Sequence, residues 1–151
     1  MQISVNEPVI TEEAKANVID ALETGWISSR GTYIDQFEEE FAKFIGVKHA
    51  VMTTSGTTAL HLSLVALEIG PGDEVIVPDF TMFASIASIL YTGAMPVLVD
   101  ADRETYCIDP ALIEAKITSK TKAIMPVHIY GHPVDMDPVM DIAAKNNLKV
   151  V

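Results

Sequence analysis

The chain has 151 residues, 49% hydrophobic and 21% charged, a globular balance with room for one core rather than two. A formal net charge of −11 argues against nucleic acid or an anionic membrane surface as partner, because both attract basic faces; the longest apolar stretches, such as 83–90, fall short of the roughly 20 residues a membrane span needs. Cys107 is the single cysteine, so no internal disulfide and no cysteine cluster for a metal can form, and a reducing cytoplasm is expected.

The opening MQISVNEPVITEE has no basic flank leading into an apolar run, so no signal peptide is expected. Residues 12–24 read as a helix: Thr11 can cap it, Glu12 and Glu13 suit the positive end of its dipole, and Gly25 follows its end. Residues 33–45 read as a second helix, with Phe37, Phe41, Phe44 and Ile45 forming one apolar stripe and Gly46 placed to stop it. From there helix and strand alternate. Strands are expected at His49–Thr53, Glu74–Val77, Pro96–Asp100, Lys122–Val127 and from Leu148; helices are expected at Thr57–Leu67, Phe83–Tyr91, Pro110–Ile117 and Asp137–Asn146. No linker divides the chain, which reads as a helical segment 1–46 followed by an alternating β/α segment 47–151. EVIV, VLV, AIMPV and LKVV are continuous apolar runs, as in strands covered on both faces. The expected fold is therefore a three-layer α/β/α sandwich around a mostly parallel sheet, and ligands of such sheets sit beyond the carboxyl ends of the strands.

Four turns lie at those ends. After the first expected strand comes Thr54-Ser55-Gly56-Thr57-Thr58. A small-residue turn running into a helix N-terminus is either an anion site, with Gly56 admitting a phosphate to the backbone and Ser55, Thr57 and Thr58 adding hydroxyls, or simply a cap by Ser55 or Thr57. It lacks the lysine of a Walker loop and the extra glycines of a dinucleotide fingerprint. After the second comes Pro78-Asp79-Phe80-Thr81-Met82-Phe83, where an aromatic or thioether group either covers a flat ring or packs a helix start. Asp100-Ala101-Asp102 is read as a solvated turn. His128-Ile129-Tyr130-Gly131-His132 spaces two histidines by four, but Gly131 and Pro133 disfavour a shared helix face. No metal is expected there, and His128 and Tyr130 are read as hydrogen-bonding near the site. Gly25-Trp26-Ile27-Ser28-Ser29-Arg30-Gly31 is either a binding loop or a structural turn.

Taken together, GWISSRG (25–31), the Phe-rich helix, TSGTTALHLSL (54–64), GDEVIVPDFTMFAS (72–85), TGAMPVLVD (92–100), TKAIMPVHIYGH (121–132) and DMDP (135–138) resemble one family in order and spacing, over nearly the whole chain. It is the DegT/DnrJ/EryC/StrS type of pyridoxal-phosphate (PLP) dependent aminotransferases acting on nucleotide-linked keto-sugars, with the aspartate aminotransferase fold. Within it, GWISSRG and PVHIYG look most like the enzymes that make perosamine, a 4-amino-4,6-dideoxy sugar.

The resemblance implies the N-terminal part of the large domain of a fold-type I PLP enzyme, incomplete at the C-terminus. By resemblance, Gly56, Thr57 and Thr58 grip the PLP phosphate, and Met82 takes the ring-stacking place usually held by Phe, Tyr or Trp. Trp26, Ser28, Ser29 and His128 lie towards the sugar. The family's Schiff-base lysine and the acid that pairs with the pyridine nitrogen are expected beyond Val151, so no catalytic residue is assigned and the 151 residues alone are expected to be inactive. The implied partners are a nucleotide sugar, glutamate as amino donor and a second subunit. Two other readings stay open: a truncated relative that binds a sugar or nucleotide without chemistry, and a PLP-dependent sugar dehydratase with histidine in place of the lysine. An unrelated doubly wound nucleotide-binding domain would need a glycine-rich fingerprint with an acid about 20 residues on.

Overall fold

The structure, a computed structural model, describes residues 7–151; the first six, on which part of the leader reading rests, lie outside the described residues. The chain forms two compact units, one up to Met52 and one over Thr53–Val151. Among the described residues no helix is long and apolar enough to cross a membrane.

The first unit holds two helices. In α1 (Glu12–Glu23) the Thr11 hydroxyl accepts the Ala14 N–H at 3.1 Å, and Glu12 and Glu13 occupy the first turn, the capping that the sequence leads one to expect. In α2 (Thr32–Ile45) Phe37 and Phe41 stack with ring centroids 5.3 Å apart. Gly46 ends it in the left-handed conformation, φ 79°, returning its N–H to Ala42 and Lys43 carbonyls. Tyr33 donates its hydroxyl to Asp20 Oδ2 at 3.0 Å and so ties α2 to α1; that bond to a carboxylate holds the phenol above its ordinary value.

The strand expected at His49–Thr53 is not formed. A strand exists through ladder bonds to a neighbour, and among the described residues none pairs with this segment; the Met52 N–H goes instead to the Glu38 carboxylate at 2.8 Å.

In the second unit the elements are α3 (Gly56–Ala66), β1 (Glu74–Pro78), α4 (Phe83–Tyr91), β2 (Met95–Val99), α5 (Pro110–Ile113), β3 (Thr121–Ile124), α6 (Met136–Asn146) and β4 (Lys149–Val150). The helix expected over 110–117 is one α turn that tightens into a 3-10 turn at Glu114–Lys116, closed by Ile117 N–H on the Glu114 carbonyl at 3.2 Å. The sheet runs β2-β1-β3-β4 with every pairing parallel.

Successive side chains of β1 point to opposite faces and both faces are buried, as a sheet covered on both sides requires. Val75, Val77, Ala123 and Met125 pack with Leu64 of α3 and Ile89 of α4. Ile76, Val99 and Ile124 face the other way, against Ile113 of α5 and Val139 and Ala143 of α6. This is the α/β/α sandwich that the continuous apolar runs predict. Its polarity positions the site. Each strand leaves the sheet at its carboxyl end and returns through a helix to an amino end, so α3, which leads through Ile69 and Asp73 into the amino end of β1, starts at the carboxyl edge.

Candidate functional site

Gly56, Thr57, Thr58, Met82 and His128 all fall at the carboxyl edge of the second unit; Trp26, Ser28 and Ser29 fall in the first. At the start of α3 the cap and anion readings divide the available donors. Ser55 Oγ accepts the Thr58 N–H at 3.3 Å, while Thr58 Oγ1 accepts the Ser55 N–H at 3.1 Å and donates to the Ser55 carbonyl at 2.8 Å. Thr58 thus spends both its N–H and its hydroxyl on the capping box. The Gly56 and Thr57 N–H groups and the half-buried Thr57 hydroxyl keep no bond among the described residues, as first-turn groups do when no ligand is present. A Cβ built on Gly56 would meet no atom within 4 Å. The turn has the open approach and the orphan donors that a phosphate needs, so the residues present fit the phosphate end of PLP, with Gly56 and Thr57 rather than Thr58 holding free donors.

Beyond β1, the Thr81 and Ser85 hydroxyls bond at 2.8 Å. That bond braces the bend into α4, at whose N-cap Met82 is 69% exposed. Beyond β2, Asp102 closes its own turn. One carboxylate oxygen accepts the Thr105 N–H (2.8 Å), the Thr105 hydroxyl (2.9 Å) and the Glu104 N–H (3.0 Å), which together hold the acid below its ordinary range. The reading of this acid as a turn residue holds.

Beyond β3, residues 129–131 make a 3-10 turn, and His128 Nδ1 accepts the Val134 N–H at 3.0 Å. What this turn does to Tyr130 is not evident from the sequence. Tyr130 and Tyr106 both adopt left-handed backbone (φ 50° and 59°), a strained state for an aromatic residue. Their rings flank Phe80 at 6.4 and 5.8 Å and line a largely apolar groove of about 430 Å³ with Ile129 and His132. The Tyr130-Gly131 pair gives a faint sign of such a turn; nothing local marks Tyr106.

In the first unit Trp26 is 57% exposed, and Ser28 and Ser29 are exposed beside it. Gly31 is needed close by: a Cβ there would lie 3.2 Å from the Trp26 Cβ. The lysines of the second unit lie elsewhere: Lys120, Lys122 and Lys149 lie at the amino ends of β3 and β4, Lys116 ends the 3-10 turn after α5, and Lys145 pairs with Glu114 at 2.6 Å.

The chain is similar to known proteins over nearly its whole length. The profile of the DegT/DnrJ/EryC1/StrS aminotransferase family matches residues 8–151. The chain is 53% identical to the GDP-perosamine synthase of Caulobacter vibrioides, covering 99% of this chain and 40% of that protein. It is 50% identical to the GDP-perosamine synthase of Escherichia coli O157:H7, covering 99% and 41%. Among solved structures, NtdA of Bacillus subtilis, with its cofactor PMP bound, superposes with a TM-score of 0.85 at 37% identity, covering 93% of this chain and 33% of that one. The chain therefore spans about two fifths of the length of the curated relatives it matches.

Proposed function

Since the chain belongs to the DegT/DnrJ/EryC1/StrS aminotransferase family, we propose that it is the N-terminal part of the large domain of a PLP-dependent transaminase, which moves an amino group from glutamate to a 4-keto-6-deoxy nucleotide sugar, as in perosamine synthesis. The observation that carries the reading is the first turn of α3, with unclaimed Gly56 and Thr57 donors and open space before Gly56, in a chain half identical to two GDP-perosamine synthases.

In this reading PLP, when bound, supplies the electron sink that lets an amino group change carbons. Gly56 and Thr57 bind its phosphate, with the α3 dipole adding to their N–H donors. Thr58 builds the cap that holds those donors in place. Met82 lies against the cofactor ring as a polarisable apolar wall. Trp26, Ser28 and Ser29 contact the sugar, and His128 contacts substrate. The groups that bond covalently to the cofactor and hold its ring nitrogen belong to the rest of the protein.

The protein works as a cytoplasmic homodimer. Support for pairing comes from α3, whose apolar residues are not confined to one face: Leu60 and Leu64 pack with the core while Leu62 and Val65 stay exposed, as in a helix covered twice. The deciding experiment is the intact mass of the protein at its natural length after borohydride, which makes a PLP–lysine linkage permanent. One pyridoxyl group per chain is expected. Bound PLP without an adduct would move the reading to the dehydratase relatives, and no PLP at all would leave a binding module.

A further inference from the structure

His128 leaves the sheet at the centre of its carboxyl edge. β3 is paired on both sides, and the pairing continues past its end: Met125 N–H donates to the Ile76 carbonyl at 2.7 Å and Val151 N–H to the Ile124 carbonyl at 3.1 Å. The backbone around His128 is held from all sides. The Ile129 N–H bonds the Val127 carbonyl at 3.0 Å, the Gly131 N–H bonds the His128 carbonyl at 3.1 Å, and the His132 N–H bonds the Ile129 carbonyl at 2.9 Å. The ring is held as well, because Val134 donates its N–H to Nδ1.

That bond decides the ring's chemistry. A backbone N–H can only donate, so Nδ1 must be an acceptor without a hydrogen, and in the neutral imidazole the hydrogen is then on Nε2. The Val134 contact is the one hydrogen bond the His128 side chain makes among the described residues, and Nε2 is not a buried orphan. An exposed but oriented N–H therefore faces accessible space at the carboxyl edge of a parallel sheet, where ligands of such sheets sit.

We propose that His128 is a fixed hydrogen-bond donor, through Nε2–H, to an oxygen of the bound cofactor or of the nucleotide sugar, and that it binds and orients rather than accepting a proton. The inference rests on the reading of the protein as a PLP-dependent sugar transaminase. Nδ1 is committed to the backbone, so the ring offers the ligand no free lone pair; only its donor remains.

Two substitutions separate this role from a structural one. In His128→Asn the amide oxygen can still accept the Val134 N–H, but the side chain is too short to replace Nε2–H. In His128→Gln the longer amide carries an N–H near the Nε2 position. Both are compared with wild type, at natural length, by the dissociation constant of PLP from absorbance titration and by the KM and kcat for a GDP-linked 4-keto-6-deoxy sugar. The Asn variant is expected to lose about 10- to 100-fold, the weight of one hydrogen bond to a charged group, with kcat little changed and with the Gln variant recovering most of the loss. Loss in the PLP constant assigns the acceptor to the cofactor; loss in KM at unchanged PLP affinity assigns it to the sugar nucleotide. An Asn variant equal to wild type on both readouts, or a Gln variant no better than Asn, overturns the proposal. A wild type that neither holds PLP nor turns over the sugar defeats the transaminase reading instead.

Discussion

The two edges of the sheet are built from the same strands and helices, yet they differ in what they leave unspent. The amino edge has the more spacious groove, about 620 Å³, lined by Leu67, Glu68, Asp73, Thr118, Asn147 and Lys149 among others. It gathers the C-terminal ends of α3 and α6 and the lysines of the second unit. Three of its polar side chains are occupied with the fold: Asp73 Oδ2 accepts the Gly70 N–H at 3.0 Å, Thr121 Oγ1 accepts the Thr118 N–H at 2.9 Å, and the Thr118 hydroxyl bonds Glu74. The carboxyl edge has less enclosed space but keeps free helix-start donors at Gly56 and Thr57, an unpartnered N–H on His128 and an exposed Met82. Volume alone points to the amino edge; uncommitted donors and exposed apolar groups point to the carboxyl edge, where a ligand has something to gain.

The largest test of this contrast is Gly56→Asp. A side chain fits there without a clash, and an acid in the first turn of a helix favours its dipole, so the fold is retained or slightly stabilised. The same carboxylate occupies the anion's place and repels it. PLP affinity, measured by absorbance titration, is expected to fall more than about 100-fold, the scale of losing two or more charge-assisted bonds. Unchanged affinity would remove the phosphate from this turn and with it the asymmetry between the edges.

The counterpart at the amino edge is Thr121→Val. The shape is kept, but the buried oxygen that accepts the Thr118 N–H is lost. Leaving that donor unsatisfied costs about 1–3 kcal/mol, read as a lower melting temperature, with PLP affinity unchanged. A variant that melts like wild type but binds PLP poorly would mean that the amino edge takes part in binding.

What could be read from the sequence follows the same line between local and non-local causes. The Thr11 cap, the Gly46 stop and the carboxyl-edge turn at 54–58 are written in neighbouring residues, and so were legible. The two-sided burial of Val75, Ile76 and Val77 was legible because an apolar run without alternation has one physical explanation. The segment 49–53 misleads because its residues favour a strand while the partner that would make it one is a property of the whole sheet. The capping box at Thr58 was less legible: with Thr in place of the usual Glu or Gln, the box that engages its hydroxyl is hard to see in the sequence. The Val134 bond that fixes His128 depends on the path of a 3-10 turn, and the Phe80, Tyr106 and Tyr130 groove depends on three loops meeting.

The smallest effect concerns the one acid at the carboxyl edge whose acceptor is fully committed. Asp102 binds Thr105 and Glu104 through its ionised carboxyl, and its backbone bonds Tyr106 and Cys107, so it fixes the turn that puts Tyr106 in left-handed backbone. Because those bonds favour the ionised form, the folded acid titrates below its ordinary 3.8. The folded state then binds fewer protons than the unfolded one in the interval between the two values. The stability it contributes is whole above the ordinary value and drains away as pH falls through 3.8 towards the folded value. Melting temperatures of wild type and Asp102→Asn, compared from about pH 7 down to about pH 3, should differ by a constant gap above roughly pH 5 that closes below it. A gap independent of pH would show that the ionised carboxyl does not hold the turn, and would return Asp102 to the uncommitted groups of this edge.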